Sequence, residues 1–199
     1  VDEQTAIRRL KRGDIGGLAV LVERYEVQAV RTAYLITQDR ALAEDVVQST
    51  FLQIYQRIDQ FDDGRPFAPW FMRSVINAAL QAIQRQKREL SLDTPLAEGG
   101  DGATFADLLP DPAPGPDGEI EQAELRALIW DALQQLTPDQ RAAVVMRYYL
   151  DYSDGEISDE TDSPPGTVRW RLHAARKQLR GILRRFAAGE SARGWQEGV

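Results

Sequence analysis

Residues Ser163 to Phe186 read SPPGTVRWRLHAARKQLRGILRRF, with seven Lys or Arg and no acid. The chain around them has 199 residues and a formal net charge of −7. Set on a helical wheel, Val168, Leu172, Ala175, Leu179, Ile182 and Phe186 recur at 4, 3, 4, 3 and 4. That spacing predicts one buried helix face. Arg169, His173, Arg176 and Arg180 fall on one flank, while Trp170 and Lys177 point away from the core. Cations neutralise phosphates, and Arg also pairs with guanine in the major groove. An exposed Trp suits a base or a protein surface better than water. The stretch therefore reads as a recognition helix; the competing reading is a solvated basic face. Ser163 and Thr167 stand where they would cap the helix or bond a phosphate.

Working upstream, LTPDQ predicts a helix start, with Thr137 as N-cap and Pro138 at the first helical position. That helix is expected to reach about Leu150, followed by a short helical segment from Ser153 to Thr161 and a DSPPGT turn. Helix, short helix, tight turn and basic helix make a helix-turn-helix outline. A longer helix, Ile120 to Leu136, is expected before them. The short segment sits in DYSDGEISDETD, six acids in twelve residues. Such acidity beside a recognition helix would repel a DNA backbone, or shield the basic face until another partner takes it.

The charge is uneven. Residues 1–90 hold 13 basic and 12 acidic side chains, residues 91–119 none and seven, residues 120–199 11 and 12. The sum of +1, −7 and −1 is the whole net charge. The middle segment, rich in Gly, Pro and Asp, reads as a flexible acidic linker. The expected organisation is all-α: two small helical domains, 1–90 and 120–187, joined by a linker over 91–119 and followed by a short tail, 188–199. No run alternates in the strand pattern.

In the N-terminal part a helix is expected from Leu18 to about Ile36. Val47, Phe51, Ile54 and Ile58, spaced 4, 3 and 4, mark another buried face. Opposite lie Asp45, Gln48 and Leu52, a patch suited to docking on a protein, or else an ordinary solvated face. FDDGRPFAPW reads as a loop, and the helix after it is expected to reach about Arg88. On that helix Met72, Val75, Ile76, Ala79 and Ile83 should be core. Trp70, Arg73, Asn77, Gln81, Gln84 and Arg88 form the opposite stripe. Amides read base edges, cations hold the backbone and aromatics stack on unpaired bases. The alternative is a polar surface with Trp70 packed in the interdomain region.

Composition excludes several classes. Hydrophobic content is 43% and charged content 28%, as in ordinary globular chains. There is no cysteine and one histidine, His173, so no disulfide framework, no thiolate metal site and no His-based ligand set is expected. No cofactor is expected either. No apolar run approaches a membrane span. The start, VDEQTAIRRLKRGD, lacks the apolar core of a signal peptide, so a cytoplasmic protein is expected. No phosphate-binding glycine loop is present, and Glu44 and Asp45 are adjacent on a helix and do not converge, so an enzyme is not expected.

Taken together, the chain resembles the extracytoplasmic-function (ECF) sigma factors of the sigma-70 family. AEDVVQSTFLQIYQRIDQF is similar to the helix of sigma region two, and RPFAPWFMRSVINAALQAIQRQKR to the promoter-melting segment that follows. LTPDQRAAVVMRYYLDYSDGEIS and PPGTVRWRLHAARKQLR resemble region four. The resemblance implies that Asp45, Gln48 and Leu52 dock on the β′ clamp helices of core RNA polymerase. It implies that the loop from Phe61 to Phe67 captures a flipped base of the −10 element. Trp70, Arg73 and Asn77 would line the adjoining DNA face, with Arg65, Arg85 and Arg88 on the same surface. Thr167, Arg169, Trp170 and His173 would serve the −35 element, with Arg171, Arg176 and Lys177 at phosphates. The β flap, promoter DNA and an anti-sigma factor complete the implied partners.

The sequence also departs from the family pattern. EISDETD, Glu156 to Asp162, stands where EIAEILG is usual, so Thr161 replaces an apolar residue and Asp162 a turn glycine. Ala174 stands where arginine is common, and Gln81 and Gln84 replace a typical Asp and Arg. A stand-alone helix-turn-helix regulator remains the alternative; it would bind duplex tightly without polymerase, with a steep salt dependence.

Overall fold

A computed structural model describes residues 2–92 and 116–193, with side chains for 2–88 and 125–184. Among the described residues the chain is helical, without strands. It divides into two compact units, Val1–Gly102 and Ala103–Val199.

The first unit begins with α1, Glu3–Lys11, capped by Asp2, whose side chain accepts from the Thr5 N–H. Its Ala6, Ile7 and Leu10 are buried against α2, Gly16–Thr37. The two helices approach closely at Gly17, where a Cβ would stand 2.3 Å from the Ala6 carbonyl oxygen. Only glycine fits there. On α2, Leu21, Tyr25, Ala29, Thr32, Ala33 and Ile36 recur at helical spacing and are buried. Gln38 ends the helix in a left-handed conformation. Asp39 then caps α3, Arg40–Arg57, accepting from the Leu42 N–H at 3.0 Å. The predicted face Val47, Phe51, Ile54 and Ile58 is buried.

A single 3-10 turn, Ile58–Gln60, leads through a loop to α4, Phe67–Leu92. Pro69 lies in its first turn, where a missing N–H costs nothing. Met72, Val75, Ile76, Ala79 and Ile83 are core, as their spacing predicts. The core centres on aromatic rings: Phe71 stacks on Phe51 at 4.7 Å and on Phe67 at 5.8 Å, and Tyr25 tilts against both Phe67 and Phe71.

The second unit comprises α5, Pro116–Gln134; α6, Pro138–Tyr148; α7, Asp154–Glu160; and α8, Pro165–Arg193. The predicted cap at Thr137 is present as a full capping box with Gln140, and Ser153 and Glu156 form a second box at α7. Two boundaries differ from expectation. α4 continues to Leu92 and α5 begins at Pro116, both inside the segment assigned to the linker. Proline is tolerated at a first helical position, so Pro-rich composition hid the start of α5. The rest of the expected linker, 93–115, lies outside the described residues; α8 runs through 188–193 of the expected tail, and the remainder of that tail, 194–199, lies outside them too. α8 also starts at Pro165, within the predicted turn, because the Pro164 carbonyl already accepts from the N–H groups of Thr167 and Val168.

Ala132, Leu133, Leu136, Ala142, Ala143, Val145, Met146, Ile157, Val168, Leu172, Ala175 and Ile182 form the second core. Gln178 ties α8 to the end of α5 by donating to the Gln135 carbonyl at 2.8 Å. Asp162 adopts φ +46°, the left-handed conformation for which a glycine would ordinarily serve. Thr161 is only partly buried, and its hydroxyl donates to the Ile157 carbonyl at 2.7 Å. Its polar atom is thus satisfied at the end of α7.

Candidate nucleic-acid interface

In the second unit α7 and α8 are joined by a four-residue turn and pack on one another. This geometry presents one face of α8 outward. Arg169, Trp170, His173, Arg176 and Lys177 are exposed, and Trp170 is 65% accessible despite its size. The Arg176 Nε donates to the Leu172 carbonyl within the helix. Thr167 is partly buried in the first turn.

Arg171 departs from its neighbours. Its guanidinium donates to the Ser163 hydroxyl at 3.0 Å and lies 3.3 Å from the Asp139 carboxylate, with the side chain mostly buried. Ser163 in turn donates to the Thr161 carbonyl. Arg171 therefore binds the first turn of α6 and the α7–α8 turn to the recognition helix, and is not presented for a phosphate. The expectation that Ser163 caps α8 is replaced by this role. Nothing in the sequence separated Arg171 from the exposed arginines, and Asp139 lies 32 residues away.

Beneath the same unit, Arg141 is buried and its pKa is pushed down to about 10 by loss of solvent. Arg147 donates to the Tyr152 carbonyl at 2.8 Å. Burial, with Glu160 and Glu156 nearby, raises the Tyr152 phenol to about 12. The acids of α7 are thus close enough to act on this core.

In the first unit the loop before α4 is ordered by Asp62, whose carboxylate accepts from the Gly64 N–H at 2.9 Å. Lys11 reaches it from α1, donating to the Phe61 carbonyl at 2.7 Å and pairing with Asp63 at 2.8 Å. No sequence signal linked Lys11 to residues 50 positions away. Arg65 is exposed in this loop. Phe61 and Phe67 are not exposed; they are 4% and 1% accessible, and their rings meet edge-on at 5.5 Å. A free stacking face on either ring is therefore ruled out in this conformation. Trp70 is partly buried against Phe61 at 5.0 Å and Phe67 at 5.7 Å, both of its own unit. Arg73 and Asn77 are partly buried on the next turns of α4, and Gln81, Gln84, Arg85 and Arg88 are exposed beyond them. The stripe thus grades from an aromatic floor at the loop to an open polar face.

On α3, Asp45, Gln48 and Leu52 are all exposed, at spacings that place them on one side. Leu52 stands 54% accessible between polar neighbours. Among the described residues there is no group of three or more His, Cys, Asp or Glu placed to hold a metal, and no helix long and apolar enough to cross a membrane.

A helical unit with an aromatic-and-amide face, paired with a helix-turn-helix unit, defines a two-part DNA-binding protein. Residues 21–89 match the model of Sigma-70 region 2, and residues 126–179 that of Sigma-70, region 4. The chain is 30% identical over 178 residues to the ECF RNA polymerase sigma factor SigW of Bacillus subtilis (strain 168), covering 89% of this chain and 95% of the relative. It is 35% identical over 148 residues to the RNA polymerase sigma factor CarQ of Myxococcus xanthus, 74% and 78% of the two chains. Its fold is similar to that of CnrH solved in complex with the cytosolic domain of CnrY, with TM-score 0.59, 20% identity and coverage of 91% and 96%. The chain belongs to the sigma-70 family, as an RNA polymerase sigma factor of the ECF group. It directs core RNA polymerase to promoters and starts transcription by sequence-specific DNA binding and −10 strand opening; the stand-alone regulator is not favoured.

Proposed function

We propose that residues 1–90 dock on core polymerase and act at the −10 element, and that residues 120–187 read the −35 element, across a linker over 91–119. The observation that carries this division is the exposed Trp170 among Arg169, His173, Arg176 and Lys177 on α8, set against the amide-and-cation face of α4. Arg169, Trp170 and His173 enter the major groove, with Arg176 and Lys177 at phosphates and Thr167 at the helix start. Arg73, Asn77, Arg85 and Arg88 track the −10 strand, and Arg65 meets it from the loop. Trp70, Phe61 and Phe67 supply the apolar wall of that site. Opening of the loop is what gives a flipped base access to it, since two of the three rings are otherwise buried. Asp45, Gln48 and Leu52 dock on the β′ clamp helices, and the second domain meets the β flap.

The protein does no bond chemistry of its own and works in the cytoplasm, where core polymerase is. An anti-sigma factor is a further partner: one fold neighbour was solved as the sigma factor RpoE in complex with the anti-sigma factor NepR from Bartonella quintana.

The test is transcription with core polymerase on a randomised promoter pool. Selected promoters should carry two fixed elements. Trp170→Ala should relax the upstream element alone, Asn77→Ala the downstream one alone, and Leu52→Asp should abolish initiation at every promoter. Sub-micromolar specific binding to duplex by the free protein, with no gain of initiation by core, would overturn the assignment.

A further inference from the structure

The loop from Phe61 to Phe67 is tied to the first unit from a distant point in the sequence. Lys11, the last residue of α1, donates from Nζ to the Phe61 carbonyl at 2.7 Å and pairs with Asp63 at 2.8 Å. The same Nζ stands 5.8 Å from the centre of the Phe61 ring. One ammonium therefore holds Phe61 by its backbone and its ring, and the loop by a carboxylate. The Lys11 side chain is 24% accessible, so these contacts are screened less than those of an exposed pair.

α1 is a fixed base for this grip. Asp2 caps its start, Ala6, Ile7 and Leu10 are buried, and Gly17 of α2 lies against the Ala6 carbonyl. The loop has no comparable footing of its own. Asp62 to Pro66 are all exposed. The Gly64 N–H donates to the Asp62 carboxylate and the Arg65 N–H to the Asp62 carbonyl, so these bonds join loop residues to one another.

The rings at the two ends of the loop differ in the same way. Phe67 packs on Tyr25 at 5.6 Å and on Phe71 at 5.8 Å, in the centre of the core. Phe61 instead meets Phe67, Trp70 and the Lys11 ammonium. Moving Phe67 would break the core. Moving Phe61 breaks the Lys11 bond and bares faces of Phe67 and Trp70, on which an unpaired base can stack. Phe61 is thus the ring whose displacement opens the site, and Lys11 is what resists it.

We infer that, given the −10 role proposed for this loop, Lys11 is a positioning residue for base capture: from α1 it holds Phe61 across Trp70 and Phe67, and the site admits an unpaired base when the ammonium releases the Phe61 carbonyl. Lys11 touches no base itself. It sets the fraction of molecules whose ring site is open, and so the apparent affinity for a flipped base.

Hydroxyl-radical footprinting of the free full-length protein reads ring exposure directly. In Lys11→Met, oxidation of Phe61 should rise several-fold while that of Phe71 stays at the parent level. Asp63→Ala leaves α1 untouched and removes one anchor, so it should give a smaller rise. The second measurement uses holoenzyme reconstituted with core polymerase, on a selected promoter already opened over the −10 element. Each non-template position carries in turn its base or an abasic site. At the captured position the ratio of the two affinities reports occupancy of the ring site, and changes in folding or in phosphate contact cancel from it. If Lys11 keeps the site closed about nine-tenths of the time, that ratio should rise about tenfold in Lys11→Met. An unchanged Phe61 signal in Lys11→Met overturns the inference. So does an equal rise at Phe71, which would make Lys11 a support of the whole unit. So does a parent that prefers the base while Lys11→Met shows the same ratio. If the parent prefers the base at no position, the −10 assignment itself falls, and the gate on it falls too.

Discussion

At the scale of single residues, the decisive facts are about which cations have been taken. Arg171 is spoken for by Ser163 and Asp139, whereas Arg169 and Lys177 face outward. Arg171→Ala should destabilise the second unit by about 1 kcal/mol, the scale of one charge-assisted bond after discounting the half-exposed Asp139. Arg171→Lys should recover only part, since an ammonium lacks the planar fork that reaches both partners. Denaturant unfolding of the two variants checks this; equal stability of parent and Arg171→Ala would remove the bracing role. Lys11 poses the same question in the first unit. Replacing it with Met keeps the stem but frees the Phe61 carbonyl and Asp63. Hydrogen exchange at the amides of residues 62–65 should then speed up several-fold, as expected for a loop that opens locally, while exchange in α2 stays unchanged.

At the scale of elements, periodicity revealed the helices that pack on one face and concealed the residues that do not obey it. α3, α4 and α8 were legible because Val47–Phe51–Ile54–Ile58, Met72–Ile76–Ile83 and Val168–Leu172–Ala175 repeat at helical spacing. The burial of Phe61 and Phe67 was not legible because a loop has no period: nothing local says whether its aromatics face solvent or fold back, as Phe67 does onto Tyr25 and both do onto Trp70. Arg171 was hidden for a related reason, since its partner lies on another element. α7 was legible through its caps. Seven residues are too few for a stable isolated helix, so its Ser153–Glu156 box matters. Ser153→Ala should cost the second unit about 1 kcal/mol. The Ser153 backbone N–H, donating at 2.8 Å, and then its hydroxyl hold the Glu156 carboxyl below its ordinary value of 4.5. A depressed carboxyl pKa adds stability that is complete above the unfolded value and is lost as pH falls through the folded one. The acid-range loss of α7 protection should therefore begin below about pH 4.5. It should be smaller in Glu156→Gln, which keeps the bond without the charge; identical acid profiles would exclude Glu156 as the cause.

At the scale of the molecule, an acidic chain carries DNA-binding faces because the acid is concentrated elsewhere. The flanking parts balance at +1 and −1, and the seven uncompensated acids fall in residues 91–119. Near-neutral domains bind duplex weakly alone, because non-specific affinity scales with the phosphates neutralised. Holding two such domains on one polymerase raises their effective concentration at a promoter without any new contact. That arrangement needs domains that keep their own folds, and each unit has its own buried core. Phe71 tests the independence directly. It is fully buried and touches Tyr25, Phe51 and Phe67, so Phe71→Ala should cost the first unit about 3–5 kcal/mol through lost transfer energy and a cavity. Hydrogen exchange followed during denaturant unfolding should show α2, α3 and α4 released earlier, with protection in α6 and α8 unmoved. Leu172→Ala should do the reverse. If Phe71→Ala instead lowers protection in α6 and α8 equally, the two cores unfold as one, and the independence of the two units is refuted.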